Sequence, residues 1–152
     1  MRTPNVDNGG HVGDPFAGHL GQLLASLTAD VRSHLLAHAA YRTVAAGDVI
    51  VDVGQIAAEI GYVLDGTLAM TQVIEDGRKH IIGLLVPTDI YGRLFDGPSS
   101  FRIEALSETR LCCFPRAIFE LTLRQNPEAE RLFVVHILDE LDAAREWLML
   151  MG

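Results

Sequence analysis

The sequence predicts a mainly β fold: an antiparallel jelly roll with flanking helices, followed by a long dimerisation helix. Three observations carry this expectation. Gly47, Gly54, Gly66, Gly77 and Gly92 divide the middle of the chain into short alternating segments such as Val49–Val53 and Thr67–Thr71. Asp-Gly pairs at 65–66 and 76–77 are strong hairpin signals, because glycine takes a positive φ without steric cost. Beyond the last strand, apolar residues recur at Val134, Ile137, Leu141, Ala144, Leu148 and Met151, spaced 3-4-3-4-3, which reads as a two-stranded helical seam.

The elements follow in order. Residues 1–14 are polar and Gly-rich, and are expected to form a flexible N-terminal segment. The roll with its flanking helices is expected over 15–125, and the dimerisation helix over 126–152. From Pro15, the residues Leu20, Leu23, Leu24 and Leu27 sit at helical spacing, and Thr28 offers an N-cap for a second short helix through Val31, Leu35 and Leu36. Strand chemistry runs from Tyr41 to Phe114 and is broken by turns at 46–48, 65–66, 75–78, 87–89 and 96–100. Short strands at this spacing imply a closed or double-sheet architecture. Pro115 then opens a helix carrying Ile118, Phe119 and Leu121. Asn126 and Pro127 read as N-cap and first helical residue of the last helix, with Glu128 and Glu130 favourable near its positive end.

Composition narrows the class. With 152 residues and 49% apolar content the chain buries a real core as one compact unit with an appended element. No apolar run approaches the roughly 18 residues of a membrane span, and the start carries no apolar signal region. Two adjacent cysteines, Cys112 and Cys113, make no disulfide framework, so a reducing cytoplasmic location is expected. The net charge is -8 and Lys79 is the single lysine. Phosphate-binding surfaces need clustered cations, so any DNA contact is expected to come from residues outside this chain.

With Val134, Leu141 and Leu148 at heptad position a, the residues Ile137, Ala144 and Met151 fall at d. Glu140 then occupies g and Arg145 e, a pairing of opposite charges across a parallel dimer. Phe133, Leu138, Trp147 and Leu150 lie outside the seam and are expected to serve the chain's own roll.

With the roll, the glycine pattern and this helix together, the chain from about Leu20 to Gly152 resembles the sensory half of Crp/Fnr-type transcription regulators, in particular the FnrL-type branch. The motifs that carry the resemblance are Ala46-Gly47-Asp48, Leu64-Asp65-Gly66, Glu75-Asp76-Gly77-Arg78, the stretch Gly83–Asp89, Leu111-Cys112-Cys113-Phe114 and, most specifically, Leu138–Leu148. The resemblance implies a homodimer and a C-terminal winged helix-turn-helix that reads DNA with two-fold symmetry, outside the residues given. It also implies an effector pocket, with an unknown small-molecule effector.

Nucleotide pockets of this family need a Gly-Glu-Leu-like turn for the ribose and an arginine some ten residues on for the phosphate. Here the turn reads Gly92-Arg93-Leu94, and Arg102 lies nearby, followed by Ile103 rather than a hydroxyl residue. Cyclic AMP is therefore not expected, and Arg102 is expected to be a solvated strand residue or to pair with Glu104 or Asp96. The alternative is a stand-alone module binding an anionic small molecule through Arg93 and Arg102.

Relatives in the Fnr branch hold a [4Fe–4S] cluster through an N-terminal cysteine group and one late cysteine, whose position Cys112 occupies. Residues 1–40 contain no cysteine, and such a cluster usually takes four thiolates, so no iron–sulfur cofactor is expected. Adjacent strand residues face opposite ways, so Cys112 and Cys113 are expected to be one buried and one less buried thiol. Six histidines are scattered, and only His34 and His38 share an i, i+4 helical face, with no third ligand evident. A cupin-like metal enzyme would need two histidines one residue apart and a following glutamate, which are missing. No Ser/His/Asp set or paired carboxylates stand out, so an enzyme is not expected.

Overall fold

The computed structural model describes residues 16–95 and 97–151. The expected flexible segment at residues 1–14 lies outside the described residues. Two short helices lead in, α1 (Gly18–Ala25) and α2 (Ala29–Ala37). Thr28 caps α2 as expected, its Oγ1 accepting from the Val31 N–H at 3.3 Å. The strands are β1 (Ala40–Val44), β2 (Val49–Val51), β3 (Glu59–Asp65), β4 (Leu68–Val73), β5 (Lys79–Leu85), β6 (Ile90–Tyr91), β7 (Arg102–Ala105) and β8 (Thr109–Pro115). They form two four-stranded antiparallel sheets, in the orders β1-β8-β3-β6 and β2-β7-β4-β5. Two helices close the chain, α3 (Arg116–Gln125) and α4 (Pro127–Met151).

The five glycines that punctuate the sequence all have positive φ, from 83° at Gly54 to 115° at Gly92. At Gly66 the requirement is also steric, since a Cβ there would lie 2.4 Å from the Glu108 carbonyl oxygen. The chain crosses itself at this hairpin, and only glycine lets the backbones approach.

β8 explains the layering. Leu111 and Cys113 point between the sheets, where they meet Val51, Val63, Leu68 and Ile103. Cys112 and Phe114 point the other way, into a second core built with the helices. The two thiols therefore lie on opposite faces, as strand alternation requires. The expectation that one of them is less buried is corrected: Cys112 is 0% and Cys113 2% exposed. The reason is that β8 is an inner strand with a second sheet on one face and helices on the other, and burial pushes both thiol pKa values up.

The helical layer is joined to the roll by a chain of ring contacts. Phe16 meets Tyr62 edge-on at 5.2 Å and also Phe114, Phe114 meets Phe119, and Phe119 meets Phe133 at 5.8 Å. Ala129, Phe133 and His136 are the buried residues of α4. Two expectations are corrected here. Leu138 and Leu150 are 54% and 81% exposed and do not pack on the roll. Leu138 lies two positions past His136, about 200° round the helix, and Leu150 sits two heptads along the axis from His136, past the covered part. Phe133 is buried as expected and Trp147 half-buried.

Asn126 and Pro127 open α4 at the expected positions, the Asn126 backbone carbonyl accepting from Glu130 N–H. The Asn126 side chain, however, turns back to donate to the Thr122 carbonyl at 2.7 Å. One residue separates α3 from α4, and the amide satisfies a terminal carbonyl of α3 that would otherwise lack a partner. Among the described residues no helix is long and apolar enough to cross a membrane.

Gly61 in β3 tests the packing. A Cβ there would lie 2.0 Å from Cζ of Tyr91, so Gly61→Ala forces the ring aside. The expected outcome is a loss of about 1–3 kcal/mol in urea unfolding, although the same change at an open strand position would stabilise.

Candidate functional site

A cleft of about 470 Å³ opens between the roll and α4. Val51, Met70, Leu85 and Ile103 reach it from the second sheet, and Ile90, Tyr91 and Leu94 from β6 and the turn after it. Phe133, His136, Ile137 and Glu140 close it from α4. Gly92, Arg93 and Phe95 of the turn, Ser99, Ser100 and Phe101 of the following segment, and Ala57 complete the wall.

Local backbone geometry sets the turn. Gly92 has φ 115°, and a Cβ there would come within 2.9 Å of the Glu59 carbonyl oxygen. Phe95 takes φ 64°, unusual outside glycine. Its backbone N–H donates to Glu120 of α3, which also lies 3.3 Å from Arg116 Nε. The turn is thus tied to α3, one corner away from α4. The Arg93 guanidinium lies over Gly97, where a Cβ would come within 2.9 Å of Nε.

Of the four residues expected at the ligand site, Gly92, Arg93 and Leu94 line the cleft and Arg102 does not. Phe101 and Ile103 line it, so strand alternation turns Arg102 outward. The expected partners of Arg102 are corrected. Its Nε donates to Asp52 Oδ1 at 3.0 Å, and this hydrogen bond holds the Asp52 carboxyl below its usual range. Glu104 instead lies 3.4 Å from Lys79 Nζ, and Asp96 is outside the described residues.

One group in the wall escaped the sequence reading. His136 is 6% exposed, its ring packed on Phe133 at 5.4 Å and on His19 at 4.8 Å. Its Nε2 lies 3.4 Å from Glu140 Oε1, and its buried Nδ1 has no hydrogen-bond partner. Burial, then the neighbouring His19, pushes the His136 pKa down to about 4. Burial, then Asp89, pushes the Glu140 carboxyl up to about 7. His19 Nε2 lies 2.8 Å from Asp139 Oδ2, joining α1 to α4 beside this pair. The signal was present in the sequence, since His136 follows Ala129 and Phe133 at seven and three positions, on one helical face.

Most residues of the expected seam lie away from the cleft. Val134 is 50%, Leu141 45% and Leu148 70% exposed, and Ala144, Arg145 and Met151 are exposed too. Ile137 and Glu140 belong to the expected interface and also line the cleft. Elsewhere, the His34 and His38 rings meet edge-on at 4.8 Å, with His38 Nδ1 2.9 Å from the His34 carbonyl. Among the described residues no group of three or more His, Cys, Asp or Glu is placed to hold a metal ion.

A jelly roll with a cleft against a long C-terminal helix defines a cyclic-nucleotide-binding type of fold, and residues 41–126 match the cyclic nucleotide-binding domain family. The transcriptional activator protein FnrL of Cereibacter sphaeroides is 36% identical over 112 residues, 74% of this chain and 45% of its own length. The nitrogen fixation regulation protein FixK of Bradyrhizobium diazoefficiens is 26% identical over 106 residues, 70% of this chain and 45% of its own. Among solved structures, FixK2 of Bradyrhizobium japonicum superposes with a TM-score of 0.69 at 23% identity, over 75% of this chain and 58% of that one. The sensor domain of the regulator DNR from Pseudomonas aeruginosa gives 0.70 at 16%, over 85% and 87%. The chain belongs to the cyclic nucleotide-binding domain family, in its Crp/Fnr-type branch. It spans about half the length of the curated relatives it matches.

The His136–Glu140 pair predicts a pH signature. His136 titrates near 4 when folded against 6.5 for an ordinary histidine, so the unfolded chain takes up this proton first and stability falls as pH drops from 6.5 to 4. Glu140 titrates near 7 when folded against 4.5, so its contribution is present below 4.5 and lost as pH rises through 7. The two trends oppose each other between about 4.5 and 6.5. Glu140→Gln removes one of them. Urea unfolding across that window is expected to lose more stability on acidification than the unsubstituted protein does, by a margin that solvent around the half-exposed Glu140 carboxyl keeps small.

Proposed function

We propose that this chain is the effector-sensing and dimerisation part of a Crp/Fnr-type DNA-binding transcription regulator that works as a homodimer. The observation that carries the reading is the two-sided α4. One face is docked on the roll through Ala129, Phe133 and His136, and another presents Val134, Leu141 and Leu148 to solvent at heptad spacing. An exposed apolar stripe of this length on a charged chain marks an association surface. Leu138, exposed at the e position beside it, widens the stripe. DNA reading is assigned to a C-terminal domain outside residues 1–152. Two features support this assignment: the net charge of -8 and the regulator names of relatives about twice as long.

The nucleotide pocket is altered on this reading. Arg93 stands where the ribose acceptor is expected, and Arg102 is engaged outside the cleft by Asp52. That outward turn favours the regulator over the anion-binding module, because it leaves one arginine in the cleft wall rather than two. An iron–sulfur centre is not part of the proposal, since the chain's two cysteines are buried on opposite faces of β8.

The seam is tested by sedimentation equilibrium on Leu141→Asp and Leu148→Asp. The unsubstituted chain is expected at twice 16.6 kDa and each variant at 16.6 kDa with an unchanged circular dichroism spectrum. Variants that remain dimeric defeat the reading. In a separate titration, cyclic AMP in millimolar excess is expected to leave the melting temperature unchanged, because only a ligand that binds the native state raises it.

A further inference from the structure

We propose that the cleft binds a small, largely apolar molecule carrying one O–H or N–H donor, which hydrogen-bonds to His136 Nδ1. This rests on the reading of the cleft as an effector site whose nucleotide chemistry has been altered. It goes further, because it names the ligand class and the recognising atom.

Two independent observations converge. The first is the cleft: about 470 Å³ falls within the range of small-molecule sites, and Val51, Met70, Leu85, Leu94, Ile103 and Phe133 make its wall mostly apolar. The second is the orphaned atom. His136 lines the cleft, is 6% exposed, and keeps Nδ1 buried without a protein partner. Buried hydrogen-bonding atoms are nearly always satisfied in native proteins.

The other polar groups of the wall are engaged or peripheral. Ser99 Oγ donates to the Phe101 carbonyl at 2.6 Å, and the Tyr91 hydroxyl lies 3.7 Å from Cys113 Sγ. Arg93 and Ser100 are exposed, at the mouth. The geometry also sets the sense of the bond. Nε2 faces the Glu140 carboxyl, so Nε2 carries the proton of a neutral ring and Nδ1 presents a lone pair. The low basicity of the buried ring agrees with that neutral form. A lone pair in an apolar wall selects a donor such as a phenol or an N–H heterocycle, and a phosphate or carboxylate, which brings no hydrogen, makes no bond to it.

The test is calorimetric titration of the full chain with three matched probes, 2-naphthol, naphthalene and 2-naphthoate, with cyclic AMP as a fourth. 2-Naphthol is expected to bind about five- to tenfold more tightly than naphthalene, the contribution of one hydrogen bond, and 2-naphthoate more weakly than either. His136→Phe keeps a ring in place and is expected to bring the naphthol-to-naphthalene ratio close to one. Should that variant fail to fold, the ¹⁵N resonance of His136 Nδ1 in the unsubstituted protein decides. It is expected to shift on adding 2-naphthol and to stay put with naphthalene. Equal affinities for the two, tighter binding of 2-naphthoate, no binding of any probe, or an unmoved Nδ1 resonance would each overturn the proposal. Cyclic AMP binding more tightly than every probe would overturn the underlying reading of an altered nucleotide pocket as well.

Discussion

The docking of α4 through a run of aromatic rings is the constraint on which the rest of the molecule depends. Tyr62 and Phe114 stand on neighbouring strands of the first sheet, and Phe16 meets both. Phe119 on α3 carries the contact onward to Phe133, then His136, then His19 on α1. Ring pairs of this kind add directional preference to the burial of large apolar area. Phe133 and His136, three residues apart on one helical face, fix the rotation of α4 about its axis. Once that rotation is set, every other residue of the helix is assigned a side.

Two functional features follow from the one rotation. The side that carries His136, Ile137 and Glu140 closes the cleft, and the side that carries Val134, Leu141 and Leu148 is left facing solvent. Ile137 and Glu140 stand at the boundary between them. An occupant of the cleft therefore touches the same helix that the proposed partner would grip. The turn Gly92–Phe95 is fastened to α3 through Glu120 and so to the corner at Asn126 where α4 begins. The floor, the mouth and the closing wall of the cleft are mechanically joined over a short distance.

What was legible in the sequence was local. Glycine positions that need positive φ announce themselves, as Gly47 and Gly66 do, because no other residue adopts that backbone at so little cost. The Thr28 cap and the heptad of α4 are likewise patterns within a few residues. What the sequence hid depended on which strands become neighbours. Arg102 pairs with Asp52, fifty positions away, because β2 lies beside β7 with a register shift between Val49 and Val51. Such a shift changes which side chains share a face. The burial of both cysteines required knowing that β8 is an inner strand with a layer on each side. His136 read as one of six scattered histidines until Phe133 was seen to turn that face of the helix toward the roll. Asn126 opens α4 where the sequence places it, but its side chain serves α3, because two termini compete for it at a one-residue corner.

The central claim is that the exposed seam of α4 meets its own copy in parallel and in register, while the adjoining face holds the roll. Oxidative cross-linking of Ala144→Cys addresses this most directly. A two-fold parallel seam brings each d residue against its counterpart, within the separation of about 4.4–6.8 Å between Cα atoms that a disulfide spans. The native cysteines are buried and do not compete. The account predicts that the Ala144→Cys protein runs as a reducible dimer on denaturing gels, and that Ala143→Cys, one position off the seam, stays monomeric there. Cross-linking at Ala143 with none at Ala144 would contradict the account, because it would place a different face of α4 at the two-fold axis.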